Sequence, residues 1–144
     1  MDHTIVHFEI PADDPERAAK FYRELFGWEI KKFEGGEMEY WTISTVPTDA
    51  QGKPTRPGVN GGLMRRMYPG HAPVNYIAVD DVDGYVAKAG KLGAKVMMGK
   101  TPVPGMGWFA QFGDPEGNVF AVWQHDPTAA GTVGAGVDPE RAKG

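Results

Sequence analysis

The sequence predicts an α+β fold made of two tandem βαβββ modules, and three observations point there. Asp13-Asp14-Pro15-Glu16 through Phe26-Gly27-Trp28-Glu29-Ile30 is echoed by Asp80-Asp81-Val82-Asp83 through Leu92-Gly93-Ala94-Lys95-Val96. The offset is 67 residues at the aspartates and 66 at the glycines. Each copy runs extended apolar stretch, acidic helix start, amphipathic helix, closing glycine and new strand. A second echo pairs Gly58–Arg65 with Gly117–Gln124, supplying the last strand of each unit. Two such modules, residues 4–65 and 74–124, leave curved mixed sheets that enclose a cleft, and that cleft is the expected place for a function.

The elements follow in order. Thr4 to Ile10 alternates as a strand, with Val6, Phe8 and Ile10 on one face and Ile5, His7 and Glu9 on the other. Asp13 or Asp14 caps the next helix, Pro15 suits its first turn, and Glu16 stands three after Asp13 as in a capping box. Ala18, Phe21, Tyr22 and Leu25 form its apolar stripe, and Gly27 supplies the left-handed stop. Trp28–Phe33 and Met38–Val46 make a hairpin about Gly35-Gly36, and residues 47–57 are a polar, proline-rich surface loop. Gly58–Arg65 closes the first module.

In the second module Val74–Val79 is a strand, and Asp80, Asp81 and Asp83 open a helix striped by Tyr85, Val86, Ala89 and Leu92. Lys95–Met98, Gly107–Phe112 and Asn118–Gln124 are strands, the last entered through the turn Asp114-Pro115-Glu116-Gly117. The domain is expected over residues 1–125, with 126–144 an Ala/Gly/Thr-rich, loosely held tail.

Composition narrows the function. Fifteen Lys and Arg stand against nineteen Asp and Glu, so the chain lacks the basic surplus that meets nucleic-acid phosphates. No apolar run reaches the roughly 18 residues of a membrane span, and no charged-then-apolar leader pattern is read at the start, so neither a span nor a leader is expected. With no cysteine there are no disulfides, thiolate ligands or thiol nucleophiles, which fits a cytoplasmic location.

Two βαβββ units, His7 on the first strand, the string F-E-I-P-A-D-D-P-E-R-A…F-Y…L-F-G-W-E from Phe8 to Glu29, and D-P-E-G-N before the last strand resemble the vicinal oxygen chelate superfamily. That superfamily holds glyoxalase I, bleomycin-resistance proteins and extradiol dioxygenases. The resemblance covers residues 4–124, is nearest to the glyoxalase-like subgroup, and implies a homodimer. In metal-dependent members the first and last strands of each unit supply the ligands. Those positions fall here on His7, Gly62, Val74 (Asn75 if the register slips by one) and Ala121, so only His7 is a competent ligand. Glu9 adds one donor on the same face. A divalent metal needs about three or four, so no metal or other cofactor is expected and glyoxalase I activity is not.

Parity shows what lines the cleft instead. Phe8 and Ile10 face the helix, leaving His7 and Glu9 inward; Phe120 and Val122 do the same for Val119, Ala121 and Trp123. Tyr76, Ala78, Gly62 and Met64 also point inward, and Trp41 and Trp108 join the wall if their parity allows. The expectation is a metal-independent protein that binds a small aromatic or hydrophobic molecule against His7, Trp41, Gly62, Tyr76, Trp108, Ala121 and Trp123. The alternatives are a lyase, isomerase or dioxygenase, with a metal or without, that uses His7 and Glu9, and a scaffold whose cleft is filled by its own tryptophans.

Overall fold

The computed structural model describes residues 1–34 and 38–131. It has the α+β class and the element order of a repeated βαβββ unit. The first set is β1 (Ile5–Ala12), α1 (Pro15–Phe26), β2 (Glu29–Phe33), β3 (Tyr40–Ser44) and β4 (Gly61–Arg65). The second is β5 (Val74–Ala78), α2 (Val82–Lys91), β6 (Lys95–Val103), β7 (Gly107–Gly113) and β8 (Val119–His125). The chain divides into two compact units, Val6–Asn75 and a second made of Met1–Ile5 with Tyr76 onward.

In the first unit the strands lie in the order β2-β3-β4-β1. β1 and β4 are parallel, and the other pairs are antiparallel. α1 covers one face of this sheet, where Ala19, Ile30, Trp41, Ile43 and Leu63 form the buried core with Phe8, Ile10 and Tyr22 against them. Asp14 is the cap of α1, its carboxylate accepting from Arg17 N at 3.1 Å. Glu16 is not half of a capping box: its Oε1 accepts from Trp41 Nε1 at 2.7 Å, tying the helix start to the sheet. The buried stripe is also rotated from the expected one. Pro15 and Ala19 are the buried residues of α1, whereas Phe21 and Leu25 are each 56% exposed. Ala19 is the fully buried contact with the sheet, and Ala18 and Tyr22 pack beside it, so the stripe runs through 15, 18, 19 and 22 and leaves Phe21 and Leu25 outside. Gly27 ends the helix at φ 72° as predicted, donating to Arg23 O at 2.9 Å.

The proline-rich loop folds on itself. Asp49 Oδ1 accepts from Gln51 N and Lys53 N, both at 2.9 Å, and Thr55 N donates to Pro47 O. The expected Gly35-Gly36 turn lies outside the described residues.

The second unit repeats the plan with the order β5-β8-β7-β6 and a parallel β5–β8 pair. α2 packs Val82 into a core of Val79, Ala110, Phe112 and Val122. Asp81 stands at the start of α2 without a side-chain capping bond; Val82 N donates instead to Gln124 Oε1 at 2.9 Å. Leu92, expected in the buried stripe, lies past the end of α2 and is 71% exposed. β6 runs to Val103 rather than Met98, its pairing with β7 shifting register on either side of Met98. Thr4 and Ile5, expected at the start of the first module, group with the second unit together with Met1–His3: Ala78 N donates to Thr4 O, and His3 bridges Ala78 O and the Tyr85 hydroxyl.

The beginning of the expected tail is anchored. Asp126 N donates to Met106 O, Asp126 Oδ2 accepts from Trp108 Nε1 at 3.0 Å, and Ala129 is buried. The remainder of the expected tail, residues 132–144, lies outside the described residues.

The D-P-E-G-N turn has a definite chemical basis. Asp114 Oδ1 accepts from Glu116 N at 2.8 Å and Asn118 N at 2.9 Å, while Gly117 takes φ 84°. The Asn118 and Glu116 amides hold the Asp114 carboxyl below its ordinary 3.8. A lowered folded-state value means that the carboxylate stabilises the fold above the ordinary carboxylate range and loses that contribution as pH falls through it. Thermal unfolding of Asp114→Ala should therefore show a lower Tm than the parent at neutral pH, and the gap should close in acid.

Candidate functional site

Each unit has one sheet face under its helix and one face opposite. In the first unit, Phe8 and Ile10 belong to the helix-side core, so alternation turns His7 and Glu9 to the other face. Trp41 and Ile43 occupy the core from β3, which turns Tyr40 to the side of His7 and Glu9. Tyr40 is the residue that organises this face. Its hydroxyl donates to Glu9 Oε2 at 3.0 Å and lies 3.0 Å from His7 Nε2. His7 Nε2 and Glu9 Oε2 are themselves 3.8 Å apart, with the Glu9 side chain 15% exposed and that of His7 34%.

Gly62 is the floor of this arrangement. It sits opposite Glu9 on β4, and a Cβ built on it would fall 1.8 Å from the Tyr40 hydroxyl oxygen and 2.2 Å from Cζ. The glycine is required because a phenol occupies the place of a side chain. Its neighbour Gly61 answers to a different contact, its Cβ position lying 2.3 Å from Phe8 O.

In the second unit, pairing registers place Tyr76, Ala121 and Gln111 in one row across β5, β8 and β7, and Ala78, Trp123 and Phe109 in the next. Gln111 Nε2 donates to the Tyr76 hydroxyl at 3.1 Å, a bridge across the methyl of fully buried Ala121. Tyr76 and Phe109 meet edge to face with centroids 6.0 Å apart. Trp123 lies over Gly107, where a Cβ would come within 2.7 Å of the indole ring.

Of the residues singled out from sequence, His7, Glu9 and Gly62 come together in the first unit, and Tyr76, Ala121 and Trp123 in the second. Trp41 and Trp108 are corrections. Trp41 is 2% exposed in the α1-side core with its nitrogen on Glu16. Trp108 packs against the α2-side core, donates to Asp126 and carries the Lys100 ammonium 4.5 Å above its ring. Both indoles take the parity that seats a large apolar surface beneath a helix. Tyr40 and Gln111 were missed. The signal for Tyr40 was present: Trp41 and Ile43 share a parity and make the heavier apolar pair, which sends Tyr40 to the opposite face.

The donor set does not fit a divalent metal. The ligand positions implied by the resemblance are His7, a glycine covered by a phenol, a buried valine (Val74) and an alanine beneath a Tyr–Gln bridge. Among the described residues no three His, Cys, Asp or Glu are grouped to hold an ion. His7 and Glu9 are instead joined through Tyr40.

Comparisons with known proteins agree with this architecture. Residues 4–122 match the Glyoxalase/Bleomycin resistance protein/Dioxygenase superfamily, and the chain belongs to that family. It is 31% identical over 127 residues to the putative glyoxylase CFP32 of Mycobacterium bovis, covering 86% of this chain and 45% of that protein. It is 27% identical over 124 residues to the anthracycline biosynthesis protein DnrV of Streptomyces peucetius, covering 81% of this chain and again 45% of that protein. The chain thus spans about half the length of these relatives. Among solved structures, methylmalonyl-CoA epimerase from Streptomyces coelicolor superposes with a TM-score of 0.61 at 15% identity, covering 90% of this chain and all of that one, a likeness of fold. No helix among the described residues is long and apolar enough to cross a membrane.

The dependence of Gly62 on Tyr40 is testable by a double-mutant cycle. Gly62→Ala should cost about 1–3 kcal/mol in denaturant unfolding, the usual range for overpacking. In a Tyr40→Ala background the same change should cost distinctly less, because the atom it strikes is gone.

Proposed function

We propose that this chain is a metal-independent, small-molecule-binding member of its superfamily. It takes a flat aromatic or hydrophobic molecule against the helix-free face that carries Trp123, Phe109, Tyr76 and Gln111. The observation that carries this reading is the row structure of the second unit. Trp123 and Phe109 stand side by side on adjacent strands, next to a phenol–amide bridge over a floor of one methyl group. Aromatic side chains give a planar ligand its contact area, and a few polar groups fix its orientation. The likeness to a protein named for anthracycline biosynthesis makes a polycyclic aromatic the sensible first ligand class to test.

Titration with an anthracycline and with smaller naphthalene derivatives, followed by calorimetry, tests the proposal. Saturable binding is expected, and Trp123→Ala should weaken it by about 1–3 kcal/mol, the loss typical of a buried aromatic anchor. Binding by neither compound class would defeat the reading. One tightly held transition metal per chain, found by elemental analysis, would defeat its metal independence.

A second reading is metal-free proton transfer, favoured by one observation: an imidazole and a carboxylate meet on a single phenol. Under it, His7→Ala abolishes turnover of a carbonyl or phenol substrate while the unfolding midpoint stays near that of the parent. Under the binder reading the same variant only alters affinity.

A further inference from the structure

We infer that His71 is a proton-operated latch on the segment joining β4 to β5, closed while its ring is neutral and opened when the ring is charged. Three hydrogen bonds fold this segment on itself. His71 N donates to Tyr68 O at 3.1 Å across a turn whose central residues are Pro69 and Gly70, the glycine at φ 84°. Arg66 Nη1 donates to His71 O, and Met67 N donates to His71 Nδ1 at 3.1 Å. The imidazole is buried and stacked on the Tyr68 ring, with centroids 4.6 Å apart and planes 13° from parallel. The first two bonds use the backbone of His71 and are indifferent to its ring. The third is not. Nδ1 accepts only while it keeps its lone pair, and in the imidazolium both nitrogens donate, so no rotation of the charged ring recovers the bond to Met67.

The surroundings decide where the latch turns over. Burial disfavours the charged ring, and the Arg66 guanidinium, itself fixed on Asp13 Oδ1 at 3.0 Å, adds to that effect. Glu9 of β1 acts in the opposite sense. Burial is the largest of the three, and it holds the ring below its ordinary 6.5. A histidine lowered in the folded state gives up a proton on folding. Its contribution to stability is therefore complete above the ordinary value and is lost as pH falls from there through the folded value. The opening frees a corner that already carries exposed Met67 and Tyr68. The new charge is also felt by Glu9, so a proton taken up at His71 changes the field on the face that holds His7 and Tyr40.

Proton–nitrogen correlation spectra of the 15N-labelled full chain, recorded between about pH 8 and pH 5 across the ordinary imidazole range, test the latch without any ligand. The His71 ring signals are assigned by their loss in His71→Gln. At high pH His71 is expected to show a protonated Nε2 and an unprotonated Nδ1. Its titration midpoint should fall below 6.5, and the Met67 amide resonance should shift, and lose protection from exchange, with that same midpoint. His71→Phe keeps an aromatic ring against Tyr68 but has no proton to take up. Its Met67 amide should not follow pH, and its Tm should fall less than that of the parent between about pH 7 and pH 5. The titration of the parent decides the matter even if the variant does not fold. A His71 midpoint at or above 6.5, a Met67 amide that stays in place while His71 titrates, or global unfolding before the ring titrates each overturns the inference.

Discussion

Ala19 is fully buried where α1 meets the strands that carry Ile30, Trp41, Ile43 and Leu63, and that contact sets the parity of the whole first unit. A sheet alternates with period two, so assigning one residue to the helix side assigns every residue of its strand. Once Trp41 lies beneath the helix, Tyr40 stands on the other face, and once Phe8 lies beneath it, so do His7 and Glu9. The polar cluster is therefore a consequence of where the apolar groups go. Val82 and Phe112 perform the same assignment in the second unit, sending Gln111, Ala121 and Trp123 to the open face.

The architecture was readable from sequence because it depends on features repeated along the chain. The acidic helix starts, the closing glycines and the D-P-E-G-N turn each have a local physical cause, and each copy confirmed the other. The parity of β1, β4, β5 and β8 was equally legible, since Phe8, Leu63, Ile77 and Phe120 leave little choice. The candidate site was only half legible. Trp41 and Trp108 were open because an indole suits either a core or a ligand wall, and their hydrogen-bond partners, Glu16 and Asp126, come from distant or terminal segments. The place of Tyr40 follows from the parity of Trp41 and Ile43, but its contact with Gly62 does not, since a glycine signals a close approach without saying what approaches. The helix stripes were misjudged for a related reason. Periodicity locates an apolar face to within about a quarter-turn, while the distance from helix to sheet decides which residue of that face fits.

The repeat conserves geometry and not chemistry. Trp41 on β3 and Trp108 on β7 both pack on the helix side of their sheets and each carries a lysine ammonium over its ring, although the pairing registers match Trp41 (opposite Leu63) with Ala110 (opposite Val122) and not with Trp108. The open faces diverge: one carries an imidazole and a carboxylate joined by a phenol, the other an amide–phenol bridge beside an indole and a phenyl ring. A fold that assigns parity so firmly can vary the chemistry of its open face while keeping its core, which is how one framework supports unrelated sites.

The tight fit of Tyr40 over Gly62 also constrains which neighbouring sequences the chain can reach. A carboxylate-bearing residue at position 62 would supply one of the missing metal ligands, but the phenol already fills the space it needs. Position 40 has to shrink first, and that change dissolves the link between His7 and Glu9 before any replacement chemistry exists. The order of the two steps is imposed by sterics and the intermediate lacks both arrangements, so the contact works as a ratchet: a path toward a metal centre begins with a loss.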